Sequence, residues 1–348
     1  MSAETPGIDV SRPAAVIGAG SWGTALAVHL ARQGPVRLWC RRPELASRLA
    51  AERRNETYLP GVLLPETVEP TFDAAHAVDG AACVVLAVPT QSLREVLRAV
   101  PEGALPGDAY LVIACKGIEI GTLAFPGRIV SETLGDEATA RTVMLSGPSF
   151  AMELAAGQPT AVVSASETMH AATAVQARFS GGSLRVYSST DLLGVQLAAA
   201  LKNVVAIGAG VADGLGFGHN AQAALITRSL AEMARLGVTM GARHETFLGL
   251  AGVGDLVLTC TGGLSRNRRV GTELGRGRTL GEVLASMSMV AEGVPTASAA
   301  RRIAEREGVE MPIVEQVHAL LHEGKSPGEA LADLLARPLR PEAEKGRP

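Results

Sequence analysis

Short apolar runs alternate with helical stretches through the first half of the chain. Residues 14–17, 36–40, 83–88, 109–115 and 143–145 read as strands, and residues 24–32, 91–99 and 128–134 as helices between them. That alternation predicts an α/β fold built on a doubly wound parallel sheet. Residues 160–164 and 185–187 add two further strands. Beyond Asp191, whose side chain is placed to cap a helix, strand-like runs become scarce. Residues 222–235 make a good amphipathic helix. The boundary is expected near Gly194, with an α/β unit at 1–193 and an all-helical unit at 194–340.

One run departs from the rest. Residues 192–212 are apolar except for Gln196, Lys202 and Asn203. The run approaches the ~20 residues that span a bilayer, but Lys202 and Asn203 near its centre would be costly there. It also ends in Ala212-Asp213-Gly214 without an aromatic belt or a basic cluster. A helix buried on all sides fits better, and no stable membrane insertion is expected. An ammonium group in such surroundings must be paired or must lose its proton readily. Lys202 is therefore either a core lysine neutralised by a buried carboxylate or an acid–base group.

Composition sharpens the choice. Of 32 basic residues only Lys116, Lys202, Lys325 and Lys345 are lysines, and the last two lie in the polar C-terminal region. A chain that otherwise uses Arg keeps Lys at two interior-looking positions, and Lys can give up its proton where Arg cannot. The formal net charge of −3 argues against a nucleic-acid or anionic-membrane surface. Residues 1–13 lack the basic and apolar regions of a signal peptide, so a cytoplasmic location is expected. Cys40, Cys83, Cys115 and Cys260 are widely spaced and read as reduced, buried thiols. Residues 1–12 and 338–348 read as disordered ends.

Between the first strand and the first helix stands Gly18-Ala19-Gly20-Ser21-Trp22-Gly23, a GxGxxG in the context a dinucleotide site requires. Gly18 permits the tight turn, Gly20 a close approach to pyrophosphate, and Gly23 close helix–strand packing. The 1–193 unit thus reads as a dinucleotide-binding Rossmann domain. The second strand ends in Arg41-Arg42 where an NAD site usually carries an acid. NADP(H) is expected to be preferred, with NAD(H) allowed, unless the two arginines are a plain solvated pair.

Ligands in such sheets bind beyond the carboxyl ends of the strands. Pro89-Thr90, Lys116-Gly117 and Ser146-Gly147-Pro148-Ser149 fall there. In the second half, Gly252-Val253-Gly254 leads to Asp255, either a site carboxylate or a helix N-cap. Ser265-Arg266-Asn267-Arg268-Arg269 is a phosphate-binding inventory, set against a solvated basic patch. Val290-Ala291-Glu292-Gly293 places another acid beside a glycine. His318 and His322 share a helix face but find no third ligand in sequence, so no metal is expected.

Four blocks together resemble bacterial NAD(P)-dependent glycerol-3-phosphate dehydrogenase: GAGSWGTALA at 18–27, ALKNVVAIGAG–DGLGFGHN at 200–220, AGVGDLVLTC at 251–260 and SRNRR at 265–269. The resemblance implies reduction of dihydroxyacetone phosphate to sn-glycerol 3-phosphate for phospholipid synthesis. It implies Lys202 as proton donor and acceptor, and Lys116, Gly147, Ser149, Lys202, Asp255, Ser265, Arg266 and Asn267 as substrate contacts. Cofactor contacts so implied are Ser21, Trp22, Arg41, Lys116, Ala151, Arg266, Val290 and Glu292. Gly18, Gly20, Gly23 and Arg42 join them from the residues themselves. A homodimer is compatible with all of this. Two other readings remain, a β-hydroxyacid dehydrogenase and a non-enzymatic NADPH sensor; the first lacks a use for the arginine cluster, the second for two interior lysines.

Overall fold

The computed structural model describes residues 7–339 and 341, apart from residue 288. Its strands are β1 (Ala14–Ile17), β2 (Val36–Trp39), β3 (Arg54–Asn55), β4 (Leu59–Leu63), β5 (Val68–Thr71), β6 (Cys83–Leu86), β7 (Tyr110–Ile113), β8 (Thr142–Ser146), β9 (Thr160–Ala165) and β10 (Leu184–Ser189). Helices α1 (Ser21–Leu30), α2 (Pro43–Glu52), α3 (Ala74–Val78), α4 (Thr90–Ala99), α5 (Pro126–Leu134), α6 (Ala151–Ala155) and α7 (Met169–Phe179) connect them. The chain continues through α8 (Leu192–Gly214), α9 (His219–Thr239), α10 (His244–Leu248), α11 (Asp255–Thr261), α12 (Arg266–Gly275), α13 (Leu280–Ala285), α14 (Gly293–Glu307), α15 (Pro312–His322) and α16 (Pro327–Leu335).

Eight strands form one sheet in the order β10-β9-β8-β7-β6-β1-β2-β5. Strand β1 lies between β2 and β6, so the winding reverses there and opens a crevice at its carboxyl end. The central strands β1 and β6 are buried at every position because helices cover both faces. The sheet is not wholly parallel: β8 and β9 run antiparallel, and β10 follows β9. An apolar run carries no mark of its direction, which is why sequence reading missed the reversal. It also missed β3, β4 and β5, where Pro60, Gly61 and Pro70 interrupt the apolar pattern.

Two apolar cores fill the faces of the sheet, and a third surrounds α8. Leu192, Val195 and Ala199 belong to a sheet core, while Leu197, Leu201 and Val204 belong to the helical one. Helix α8 is thus shared. Among the described residues it is the one helix long and apolar enough to cross a membrane, and 94% of its most apolar window is buried inside the protein. Its start is set by Asp191, which accepts from the Gly194 N–H at 2.9 Å and also from the Arg243 N–H and the Thr246 hydroxyl.

Helix α12 crosses α8 with almost nothing between the backbones. A Cβ on Gly271 would fall inside the Ile207 carbonyl, one on Gly275 against the Val211 carbonyl, and one on Gly210 inside the Arg268 carbonyl. Before α11 the chain takes a wide turn at Leu250–Gly254, and Gly252 leaves helical geometry where its Cα packs on the Phe247 carbonyl.

Residues 7–12 correct an expectation. Ile8 is buried, and Arg12 bonds Asp108 and the carbonyls of Gly80 and Ala81. The remaining expected disorder, at 1–6, 340 and 342–348, lies outside the described residues. All four cysteines are buried and unpaired, and burial pushes the Cys115 and Cys260 thiols up to about 12.

Candidate active site

The carboxyl ends of β6, β7 and β8 face the middle of α8. Strand β7 ends at Ile113, and Lys116 leaves its end to reach across the crevice. Its Nζ donates to Asp255 Oδ2 at 2.8 Å and to the Gly147 carbonyl at 3.3 Å. From α8, Lys202 Nζ donates to Asp255 Oδ1 at 2.6 Å and to Thr259 Oγ1 at 2.8 Å. One carboxylate therefore holds both interior lysines, one amine on each oxygen.

Asp255 opens α11 but makes no side-chain cap, so the N-cap reading falls and its carboxylate is free for the amines. Thr259 stands one turn further on and donates its proton to the Asp255 carbonyl at 2.6 Å, leaving its lone pairs to Lys202. Sequence reading missed Thr259. Its only signal was the i, i+4 spacing from Asp255, visible once 255–261 is known to be helical.

Burial decides the electrostatics. Asp255 is 1% exposed and Lys202 6%. Desolvation pulls the Lys202 pKa from 10.5 down to about 8; the Asp255 carboxylate opposes this, and the positive charge of Lys116 adds to it. For Asp255 burial pushes upward, but the two ammonium groups outweigh it and hold the acid below its ordinary value. Lys202 is thus paired with a buried acid, as one of its two readings expected. An ammonium has three N–H bonds, and Asp255 and Thr259 take two, leaving one for a ligand oxygen.

Amides lock the surrounding loops. Asn203 Nδ2 donates to the Lys116 carbonyl at 3.0 Å, Asn267 Nδ2 to Asn203 Oδ1 at 2.9 Å, and the Gly293 N–H to Asn267 Oδ1 at 2.9 Å. Glu292, one residue earlier, accepts from the Thr90 N–H at 2.8 Å. Burial pushes the Glu292 carboxyl up to about 7, against the Thr90 amide and the Arg266 charge. Arg266, at the start of α12, has an exposed side chain. Ser149 donates to the Gly147 carbonyl at 2.9 Å, beside Lys116.

The arginine cluster divides. Ser265 caps α12 by accepting from the Arg268 N–H, and Arg268 turns to Asp213 at 2.6 Å. Arg266 and the exposed Arg269 remain, three residues apart on one helix face. The paired histidines sit elsewhere: Arg301 donates to His318 Nδ1 at 3.1 Å, and His322 lies against the Val294 carbonyl. Among the described residues no group of acids, histidines and cysteines could hold a metal.

At the other end of the crevice the fingerprint has the shape a dinucleotide needs. Gly18 has φ +117°, and a Cβ there would lie 2.7 Å from the Ala87 carbonyl. One on Gly23 would strike the Gly18 carbonyl, while the space beside Gly20 is open. The buried Trp22 indole N–H has no partner. Ser21 Oγ donates to the Tyr58 carbonyl at 2.5 Å and touches the Met289 sulfur. Arg41 and Arg42 are both exposed, and Arg42 donates to the Tyr58 hydroxyl at 3.1 Å. Ala151 begins α6 just past Ser149, and Val290 is exposed in the loop before α14.

A GxGxxG turn at the sheet's switch point, opening onto two lysines held by one buried carboxylate, defines a Rossmann-type dehydrogenase. Family models for the N-terminal and C-terminal parts of NAD-dependent glycerol-3-phosphate dehydrogenase match residues 13–172 and 191–332. The chain belongs to that family. It is 51% identical over 330 residues to glycerol-3-phosphate dehydrogenase (NAD(P)+) of Geobacter sp. strain M21, covering 94% of this chain and 98% of the relative. The corresponding Moorella thermoacetica protein is 48% identical, with coverage of 95% and 98%. The solved structure of glycerol-3-phosphate dehydrogenase from Coxiella burnetii superposes with a TM-score of 0.89 at 38% identity, covering 94% of this chain and all of that one.

Proposed function

We propose that this chain reduces dihydroxyacetone phosphate to sn-glycerol 3-phosphate, reversibly, with Lys202 exchanging the proton on the C2 oxygen. The carrying observation is the single buried carboxylate that fixes Lys202 and Lys116 side by side. NADP(H) is the preferred cofactor and NAD(H) an acceptable one; Arg41, exposed where Arg42 is engaged by Tyr58, is the better placed for a 2′-phosphate. When bound, the dinucleotide supplies the hydride.

The residues divide the remaining work. Lys202 directs its spare N–H at the carbonyl oxygen and protonates it as charge develops. Lys116 adds a second positive charge facing the same oxygen, and Asp255 keeps both amines in place. Arg266 holds the phosphate at the N-terminus of α12, so binding energy far from the reacting carbon aligns it. Asn267, whose side chain serves the amide chain, offers its backbone N–H there, while Ser265, whose N–H is bonded to the Gly262 carbonyl, sets the start of the helix through its side chain. Residues 1–193 form the cofactor domain and 194–340 the substrate domain in this reading, with a cytoplasmic enzyme supplying phospholipid synthesis and a homodimer as its assembly.

Replacing Lys202 with Ala should lower kcat by ~10²–10⁴-fold, as for loss of a general acid, while NADPH binding survives. Near-normal turnover of dihydroxyacetone phosphate by that variant would remove Lys202 from the mechanism. Faster turnover of small unphosphorylated keto acids by the native protein would favour a β-hydroxyacid dehydrogenase instead.

A further inference from the structure

The stretch that carries Lys116 has no regular structure of its own. Residues 114–125, between the end of β7 and the start of α5, form neither strand nor helix. Backbone groups there must find partners elsewhere. The Glu119 N–H donates to the Ala124 carbonyl at 3.0 Å, and the Leu123 N–H to the Glu119 carbonyl at 2.8 Å. That tight turn holds Leu123 in the left-handed region at φ +61°, where a side chain other than glycine is strained.

The opposite edge of the stretch is taken by one side chain. Gln91 Nε2 donates to the Ile118 carbonyl at 2.7 Å, and its Oε1 accepts from the Ile120 N–H at 3.1 Å. A carbonyl and an N–H on either side of residue 119 are the pair that a neighbouring strand would meet. The Gln91 amide thus stands in for a strand. One turn further along α4, Arg94 grips the Glu119 carboxylate with two N–H groups, at 3.0 and 2.8 Å. Arg94 is itself fixed by Glu132 at 2.8 Å. The Arg94 and Glu119 side chains are only 17% and 13% exposed, so water competes little for this pair.

Gln91, Arg94 and Glu119 stand outside the Lys116–Asp255–Lys202 group, yet their bonds converge on residues 118–120, just past Gly117. A lysine that reaches across a crevice is only as well placed as the backbone it leaves. We infer that Gln91, Arg94 and Glu119 are positioning residues, which act on the reaction through Lys116 by fixing the base of its loop against α4. This rests on the proposed reduction with Lys202 as the acid, and assigns what keeps the second cation beside it.

Lys202 reports where Lys116 stands. It faces Asp255 and the Cys260 thiol from α11 and the Lys116 ammonium from this loop; burial and Lys116 lower its pKa, whereas Asp255 and Cys260 raise it. Gln91→Met together with Glu119→Gln should let Lys116 withdraw. The value of kcat/KM for dihydroxyacetone phosphate should then fall ~10–10²-fold, the scale of a group misplaced by about 1 Å. The alkaline limb of its pH profile should move to higher pH. Loss of the Glu119 charge by itself would move that limb the other way, so the direction is diagnostic. Lys116→Met, which removes the charge altogether, should raise the limb by ~1 unit or more. On that background the other two changes should cost nothing further. Gln91→Met alone, with the ion pair intact, should show the same upward shift at smaller size, and it serves if the paired variant folds poorly. A limb that does not rise in a folded variant, or an equal loss on the Lys116→Met background, overturns the positioning role. A native protein that does not turn over dihydroxyacetone phosphate overturns the proposed reaction itself, so the two failures are told apart.

Discussion

At the scale of single residues, the pairing of Lys202 with Asp255 sets a pH dependence. In the proposed reaction the protonated amine is the donor, and burial holds its pKa at about 8 rather than 10.5. Reduction of the ketone should therefore fall as pH rises through that region, and oxidation of the alcohol, which needs the free amine, should rise through it. Asp255 is the charge that opposes desolvation, so Asp255→Asn should move the alkaline limb of reduction to lower pH. A limb that stays in place in a kcat/KM–pH profile would assign it to another group. Lys116, Lys202 and Asp255 were legible in sequence because charge stands out against apolar surroundings. Thr259 and the division of labour among Arg266, Arg268 and Arg269 were not, because a polar side chain's partner lies on another helix. Asp213, which takes Arg268 out of the cluster, is 55 residues away.

At the scale of elements, the crossing of α8 and α12 places Lys202 relative to Arg266. Gly271→Ala would push a methyl group into the Ile207 carbonyl. Backbone cannot give way as a side chain does, so a loss of ~1–3 kcal/mol is expected from overpacking alone, read as a lower denaturation midpoint with unchanged m-value. A midpoint within error of the native protein's would mean that the helices part freely. The existence of α8 and of strands β1, β2, β6, β7 and β8 was legible because their apolar runs are long or repeated. The seam was not, since glycine within a helical pattern reads as a weakness until the facing glycine is known. The β3–β4 hairpin escaped for the related reason that its strands are short and broken by Pro60 and Gly61.

At the scale of the whole molecule, the helical half and the sheet half share α8, and they are also joined through Lys116–Asp255, Asn203 to the Lys116 carbonyl, and Thr90–Glu292. These contacts predict one cooperative transition. Both tryptophans, Trp22 and Trp39, lie in the sheet half, whereas far-UV circular dichroism reports mainly on the helices. The two thermal melting curves should coincide; fluorescence change several degrees ahead of helix loss would show that the halves unfold separately. The fold class was legible from alternation giving way to helical periodicity, but the continuity of the cores was not, because it resides in which face of α8 meets which partner.

The glycine seam has a consequence for substrate choice. With no rotamer between the two backbones to take up slack, the amine on α8 and the guanidinium at the head of α12 would act, in the proposed reaction, as the jaws of a calliper locked at one opening. Length between ketone oxygen and phosphate is then gauged by the frame, so a ketone phosphate longer by one methylene should lose ~10²-fold in kcat/KM, the effect of misplacing a reacting atom by about 1 Å. Comparable kcat/KM values for the two ketones would show that the jaws move.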